Sequence, residues 1–174
     1  MKNNKIYFEN VLNFGDLYLD KVLFAYDNLP IVFVCTDKNY NYYLAICTDS
    51  ICSLSWMLTS VSTSTLIDVL KNKIPVFKAF EVTDKKIILI DSNGKHLDCK
   101  EQMLSEISED ELPDKNEYLD ANGKFDNYIT DLNKSQSEYK TFDYEINNVQ
   151  RISQRNYSNF YLQEFLNDDI CMIA

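Results

Sequence analysis

The sequence predicts an α+β fold, and three observations carry that expectation. Short apolar runs separated by turn residues fill the first hundred positions, one helical period appears near 65–72, and residues 101–174 are acidic and rich in turn formers. The expected architecture is an N-terminal antiparallel β-meander with a packed helix, a second hairpin, and an acidic, partly irregular C-terminal half ending in a helix. A single domain over 1–174 holds these elements, with a β-rich core part at 1–100, an acidic part at 101–174 and a flexible stretch at 105–140.

Residues Leu17 to Tyr26 alternate well enough for a first strand, and Asp27-Asn28-Leu29-Pro30 supplies turn chemistry. Ile31 to Thr36 is short, continuously apolar and rich in β-branched residues, as a strand buried on both faces should be. After a turn at Asp37-Lys38-Asn39, Tyr42 to Cys47 places Tyr42, Leu44 and Ile46 on one face and Tyr43, Ala45 and Cys47 on the other. Leu54 to Val61 follows as a fourth strand. Connections this short favour an antiparallel meander, because parallel crossovers need a dozen or more residues.

Thr65 is the expected cap of the helix, with Asp68 in the capping-box position and Lys71 and Lys73 near the C-terminal end. Pro75 closes it. Lys86 to Asp91 and His96 to Lys100 flank Asn93-Gly94, the strongest short hairpin signal in the chain. Order is expected again at Phe142 to Ile146 and in a helix over Asn159 to Leu166, with the apolar tail from Ile170 to Ala174 docked on the core.

Charge is distributed unevenly. The chain carries 27 acids against 17 bases, a net −10. Residues 101–174 hold 16 acids and 6 bases, which by itself equals that total, and Glu101 to Asp120 has eight acids and one lysine. Such a field repels phosphate backbones and anionic lipid surfaces, so neither direct nucleic-acid binding nor membrane binding is expected. The N-terminus has two lysines but no apolar core behind them, and the longest apolar run is Ile31 to Cys35. Neither a secretory signal nor a membrane span is expected, and the predicted compartment is cytoplasmic. The five cysteines, 35, 47, 52, 99 and 171, are odd in number and show no CxxC spacing, so all five are expected as free thiols.

The run Leu19-Asp20-Lys21-Val22-Leu23, then Tyr26-Asp27, Pro30, Phe33, Cys35, Asp37, Tyr43-Leu44 and the segment Leu66 to Phe80 form a recognisable pattern. It resembles a family of uncharacterised small bacterial proteins of unknown function. The resemblance covers about Leu19–Phe80 and implies an α+β fold; it implies no activity and no catalytic residue.

Several chemistries lack their residues. One histidine excludes HExxH metalloproteases and two-histidine zinc sites. His96 and Cys99 have nucleophile-pair spacing, yet in a regular strand they point to opposite faces. Three glycines build no phosphate-cradling loop. Asp120-Ala121-Asn122-Gly123 matches part of a calcium loop but has Tyr118 and Ile129 at its two end ligand positions, and it reads as a turn. No cofactor, metal or catalytic residue is expected.

The expected function is therefore a non-enzymatic acidic interaction module that covers a basic surface on another protein. A toxin neutralised by an immunity protein, or a nucleic-acid-handling defence enzyme blocked by a mobile-element inhibitor, would present such a surface. The candidate contact residues are Glu106, Glu109, Asp110, Glu111, Asp114 and Glu117, with an aromatic patch at Tyr42, Tyr43 and Trp56 as the rival. The alternative is an enzyme or small-ligand-binding domain whose pocket no motif reveals.

Overall fold

Strand residues alternate between two faces, and in this chain both faces must be buried. The computed structural model describes residues 6–49, 54–81, 87–92 and 97–135. Its strands are β1 (Ile6–Val11), β2 (Gly15–Tyr26), β3 (Leu29–Thr36), β4 (Tyr42–Asp49), β5 (Leu54–Val61), β6 (Ile87–Ser92) and β7 (Leu97–Gln102). They form one antiparallel sheet in chain order from β1 to β7. The chain divides into two units, Met1–Ile129, which contains the whole sheet, and Thr130–Ala174.

This architecture corrects the expected α+β class. The fold is predominantly β, a seven-stranded near-barrel, in which α1 (Thr63–Leu70) is only eight residues long. Among the described residues α-helix is confined to α1 and residues 126–135. The meander itself is as the short connections require. β2, β3 and β4 run two residues beyond the expected bounds, β6 and β7 end one and two residues later than expected, and Leu54–Val61 coincides. The cap of α1 is Ser62 rather than Thr65: the Ser62 hydroxyl accepts from the Thr65 amide at 3.0 Å. The Asn93-Gly94 turn, His96, Cys52, Cys171 and everything expected beyond 135 lie outside the described residues.

One face of the sheet fills the interior of the near-barrel. Phe8, Val11, Leu17, Phe33, Cys35, Tyr43, Ala45, Trp56, Leu58, Ile88 and Ile90 form a single buried cluster, with Leu97 and Cys99 of β7 packed against it. Register alternates bulk across the strands: Phe33 lies opposite Ala45, and Ala45 opposite Leu58. Each fully buried large side chain here contributes about 1.5–3 kcal/mol by leaving water. The ends of the sheet approach each other, and Asn13 Nδ2 donates to Glu101 Oε2 at 2.6 Å across the gap between the β1–β2 turn and β7. Among the described residues no backbone ladder joins β1 to β7.

Curvature comes from irregularities in the long second strand. The β2–β3 register slips between Leu19 and Lys21 and twice more before Tyr26, and each slip bends the strand. Asp27 and Asn28 then turn the chain with φ of 46° and 66°, the two-residue geometry that Asn and Asp tolerate.

The opposite face is buried as well. Val34, Leu44, Met57, Thr59 and Ile87 alternate with the interior residues and are 0% exposed. Elements outside the sheet bury matching apolar residues: Leu66, Val69 and Leu70 of α1, Val76 and Phe77 of a 3-10 turn at Val76–Ala79, and Ile107, Leu119, Ala121 and Phe125 beyond β7. That outer cover is where the acidic segment resides.

The β3–β4 connection is held by one carboxylate. Asp37 accepts from the amides of Asn39 and Asn41 at 2.8 and 2.9 Å, from Asn41 Nδ2 at 2.8 Å and from the Tyr43 hydroxyl at 3.2 Å. Burial disfavours its charge, but these hydrogen bonds outweigh that and hold the carboxyl below its ordinary 3.8. The stabilisation is therefore complete above about pH 4 and fades as pH falls through the depressed value. Asp37→Ala should cost about 1–3 kcal/mol near neutral pH, since it strands a buried phenol and two amides. Denaturant titration should show the gap to wild type narrowing as pH falls below the ordinary carboxylate value and through the depressed one; a gap that stays constant with pH would contradict this role for the carboxylate.

Candidate functional site

A groove opens on the outer face where its cover is incomplete. Its volume is about 480 Å³. Leu23 and Phe24 of β2, Ile31 and Val32 of β3, and Ile46 of β4 contribute the sheet side, and Val76 adds the 3-10 turn. The opposite wall is the acidic segment, with Asp110, Glu111, Leu112, Pro113, Glu117, Tyr118, Leu119 and Asp120; Lys124 is the one cation. Apolar floor and acidic rim thus come from chain regions about 70 residues apart.

Local chemistry explains how the rim is shaped. Single 3-10 turns form at Leu104–Glu106 and Glu109–Glu111, and the Glu117 amide bonds the Asp114 carbonyl at 3.0 Å in a further turn. The Val76 amide donates to the Glu117 carbonyl at 3.0 Å, fastening the rim to the 3-10 turn after α1. Buried Ile107 and Leu119 hold the ends of the span.

These turns divide the six candidate acids into two sets. Glu106, Glu109 and Asp114 do not line the groove. Glu106 accepts from the Met103 amide at 3.0 Å, Glu109 pairs with Lys115 at 3.1 Å, and Asp114 accepts from the Asn116 amide at 2.8 Å. Their carboxylates serve the loop. Asp110, Glu111 and Glu117 do line the groove, and among the described residues their carboxylates enter no salt bridge or side-chain hydrogen bond. Asp120, the groove acid that sequence reasoning missed, accepts from Asn122 Nδ2 at 2.5 Å.

The aromatic candidates are not brought together on a surface. Tyr43 and Trp56 are each 5% exposed and belong to the interior cluster, while Tyr42 lies on the opposite face, half-buried. Trp56 stands edge-on to Phe8, their centroids 5.2 Å apart. Burial, with the Asp37 charge beside it, pushes the Tyr43 phenol up to about 12. The aromatics actually exposed at the groove are Phe24 and Tyr118, neither of which any motif marks.

Other reactive groups are quiet. Burial pushes the Cys35 and Cys47 thiols up, away from thiolate chemistry. Cys35, Cys47 and Cys99 are free thiols. The Tyr128 hydroxyl donates to Asp20 Oδ2 at 2.5 Å, and burial followed by the Asp20 charge raises that phenol well above its ordinary value. No group of three His, Cys, Asp or Glu side chains among the described residues is placed to hold a metal ion. Nor is any described helix long and apolar enough to cross a membrane. No protein-family model, curated protein or solved structure matches the chain.

Trp56 is the sole tryptophan, so its environment is directly readable. Its emission should be blue-shifted and its quenching by acrylamide several-fold slower than in the urea-unfolded chain. Emission and quenching like those of the unfolded chain would return Trp56 to the surface.

Proposed function

We propose that this chain is a non-enzymatic protein-interaction module whose acidic groove receives a basic surface of another protein. One observation carries the proposal: three carboxylates without internal partners among the described residues line a groove with an apolar floor. Unpaired acids around apolar surface favour a partner that supplies both cations and apolar contact, and their field speeds its approach. A toxin or a nucleic-acid-handling enzyme has a basic surface of that type, made for phosphates. Immunity or anti-defence inhibition is the role this chemistry serves best. The groove's volume also lies within the range of small-ligand sites, which favours a cationic small molecule as the competing occupant.

The test uses host lysate and three baits: wild type, a groove variant with Asp110→Asn, Glu111→Gln and Glu117→Gln, and a control with Glu109→Gln and Asp114→Asn. A partner should be retained by wild type and control, lost by the groove variant, and released as salt rises toward about 1 M, where screening cuts the field's reach to about 3 Å. Retention that is indifferent to the groove substitutions would contradict the proposal.

A further inference from the structure

Resting on that function, we propose that the groove is built for one arginine side chain flanked by apolar residues, presented by an extended segment of the partner. Each part of an arginine has a matching surface. Val32, Ile46 and Leu119 offer an apolar bed for the aliphatic stem, in the way long charged side chains lay their methylenes along apolar surface. Phe24 and Tyr118 line the groove yet are 52% and 49% exposed, so part of each ring is open to a ligand. A guanidinium stacks on such rings and is more weakly hydrated than an ammonium. Asp110, Glu111 and Glu117 supply carboxylates for its planar fork of donors.

Other occupants fit less well. A lysine answers the charge but neither stacks flat nor offers a carboxylate two parallel donors in one plane. A neutral apolar segment would cover the acids without pairing them, which is costly. Anionic ligands meet the repulsion of four acids against the single Lys124. The cavity of about 480 Å³ exceeds one side chain, leaving room for apolar neighbours.

The experiment titrates isotope-labelled full-length protein with an N-acetylated, C-amidated pentapeptide, alanine-leucine-arginine-leucine-alanine. A second peptide replaces arginine by citrulline, which keeps the shape and removes the charge. Amide shifts should concentrate at 23–32, 46–48 and 110–120. The citrulline peptide should bind about tenfold or more weakly, as should the arginine peptide to Glu111→Gln/Glu117→Gln, while Glu109→Gln/Asp114→Asn binds it like wild type. Phe24→Ala, at an exposed position, should weaken binding about threefold or more. Equal affinity for the two peptides, equal loss in the two carboxylate variants, or no shifts at the groove would overturn the arginine assignment. If a protein partner is still captured through the groove acids while the arginine peptide leaves these amides unmoved, the assignment fails and the proposed function stands. Loss of both refutes both.

Discussion

The need to bury two apolar faces of one sheet governs this molecule. Curling the meander toward closure buries the inner face, where Phe33, Trp56, Leu58 and Ile90 pack. It leaves Val34, Leu44, Met57 and Ile87 pointing outward, and these are as fully buried as the interior. A short helix, a 3-10 turn and the chain beyond β7 supply the cover. The acidic segment is therefore structural before it is functional: Ile107, Leu119, Ala121 and Phe125 fasten it, and the acids occupy the positions between. The groove lies along this cover, with Val32 and Ile46 of the sheet facing Leu119.

The carboxylates of that cover fall into two sets. The carboxylates of Glu106, Glu109 and Asp114 are engaged in turns and a salt bridge, whereas those of Asp110, Glu111 and Glu117 have no such partner among the described residues. Exposed acids of the second kind add little stability, and their mutual repulsion opposes folding slightly. Eight acids occur between Glu101 and Asp120, and the turns place four of them, Asp110, Glu111, Glu117 and Asp120, along the groove.

Much of the sheet was legible because strand chemistry is local. Alternation and turn residues located β2 to β7, and the β-branched run at Ile31 to Thr36 correctly indicated a strand buried on both sides. β1 escaped because Glu9 and Asn10 interrupt its apolar residues, where an irregular pairing and a φ of 52° at Asn10 displace the pattern. The fold class was misread because one helical period stood for a layer; the helix expected near 65–72 is the eight-residue α1 at Thr63–Leu70, set against seven strands. The separation of Tyr42 from Tyr43 and Trp56 has a related cause. Periodicity separated Tyr42 from Tyr43 but could not say which face turns inward, and that depends on near-closure between distant strands. The groove was illegible, since Phe24 and Tyr118 come to line one groove only through tertiary packing.

The central claim is that the acidic segment covers the sheet and folds with it as one unit. Leu119→Ala removes an anchor of that cover, and Trp56 reports the distant interior. Urea unfolding of this variant, followed by Trp56 fluorescence and by far-ultraviolet circular dichroism, tests the claim most directly. The account predicts one cooperative transition, coincident by both probes and destabilised by about 2 kcal/mol or more. A Trp56 transition unchanged from wild type would contradict it, because the interior would then be stable without its cover.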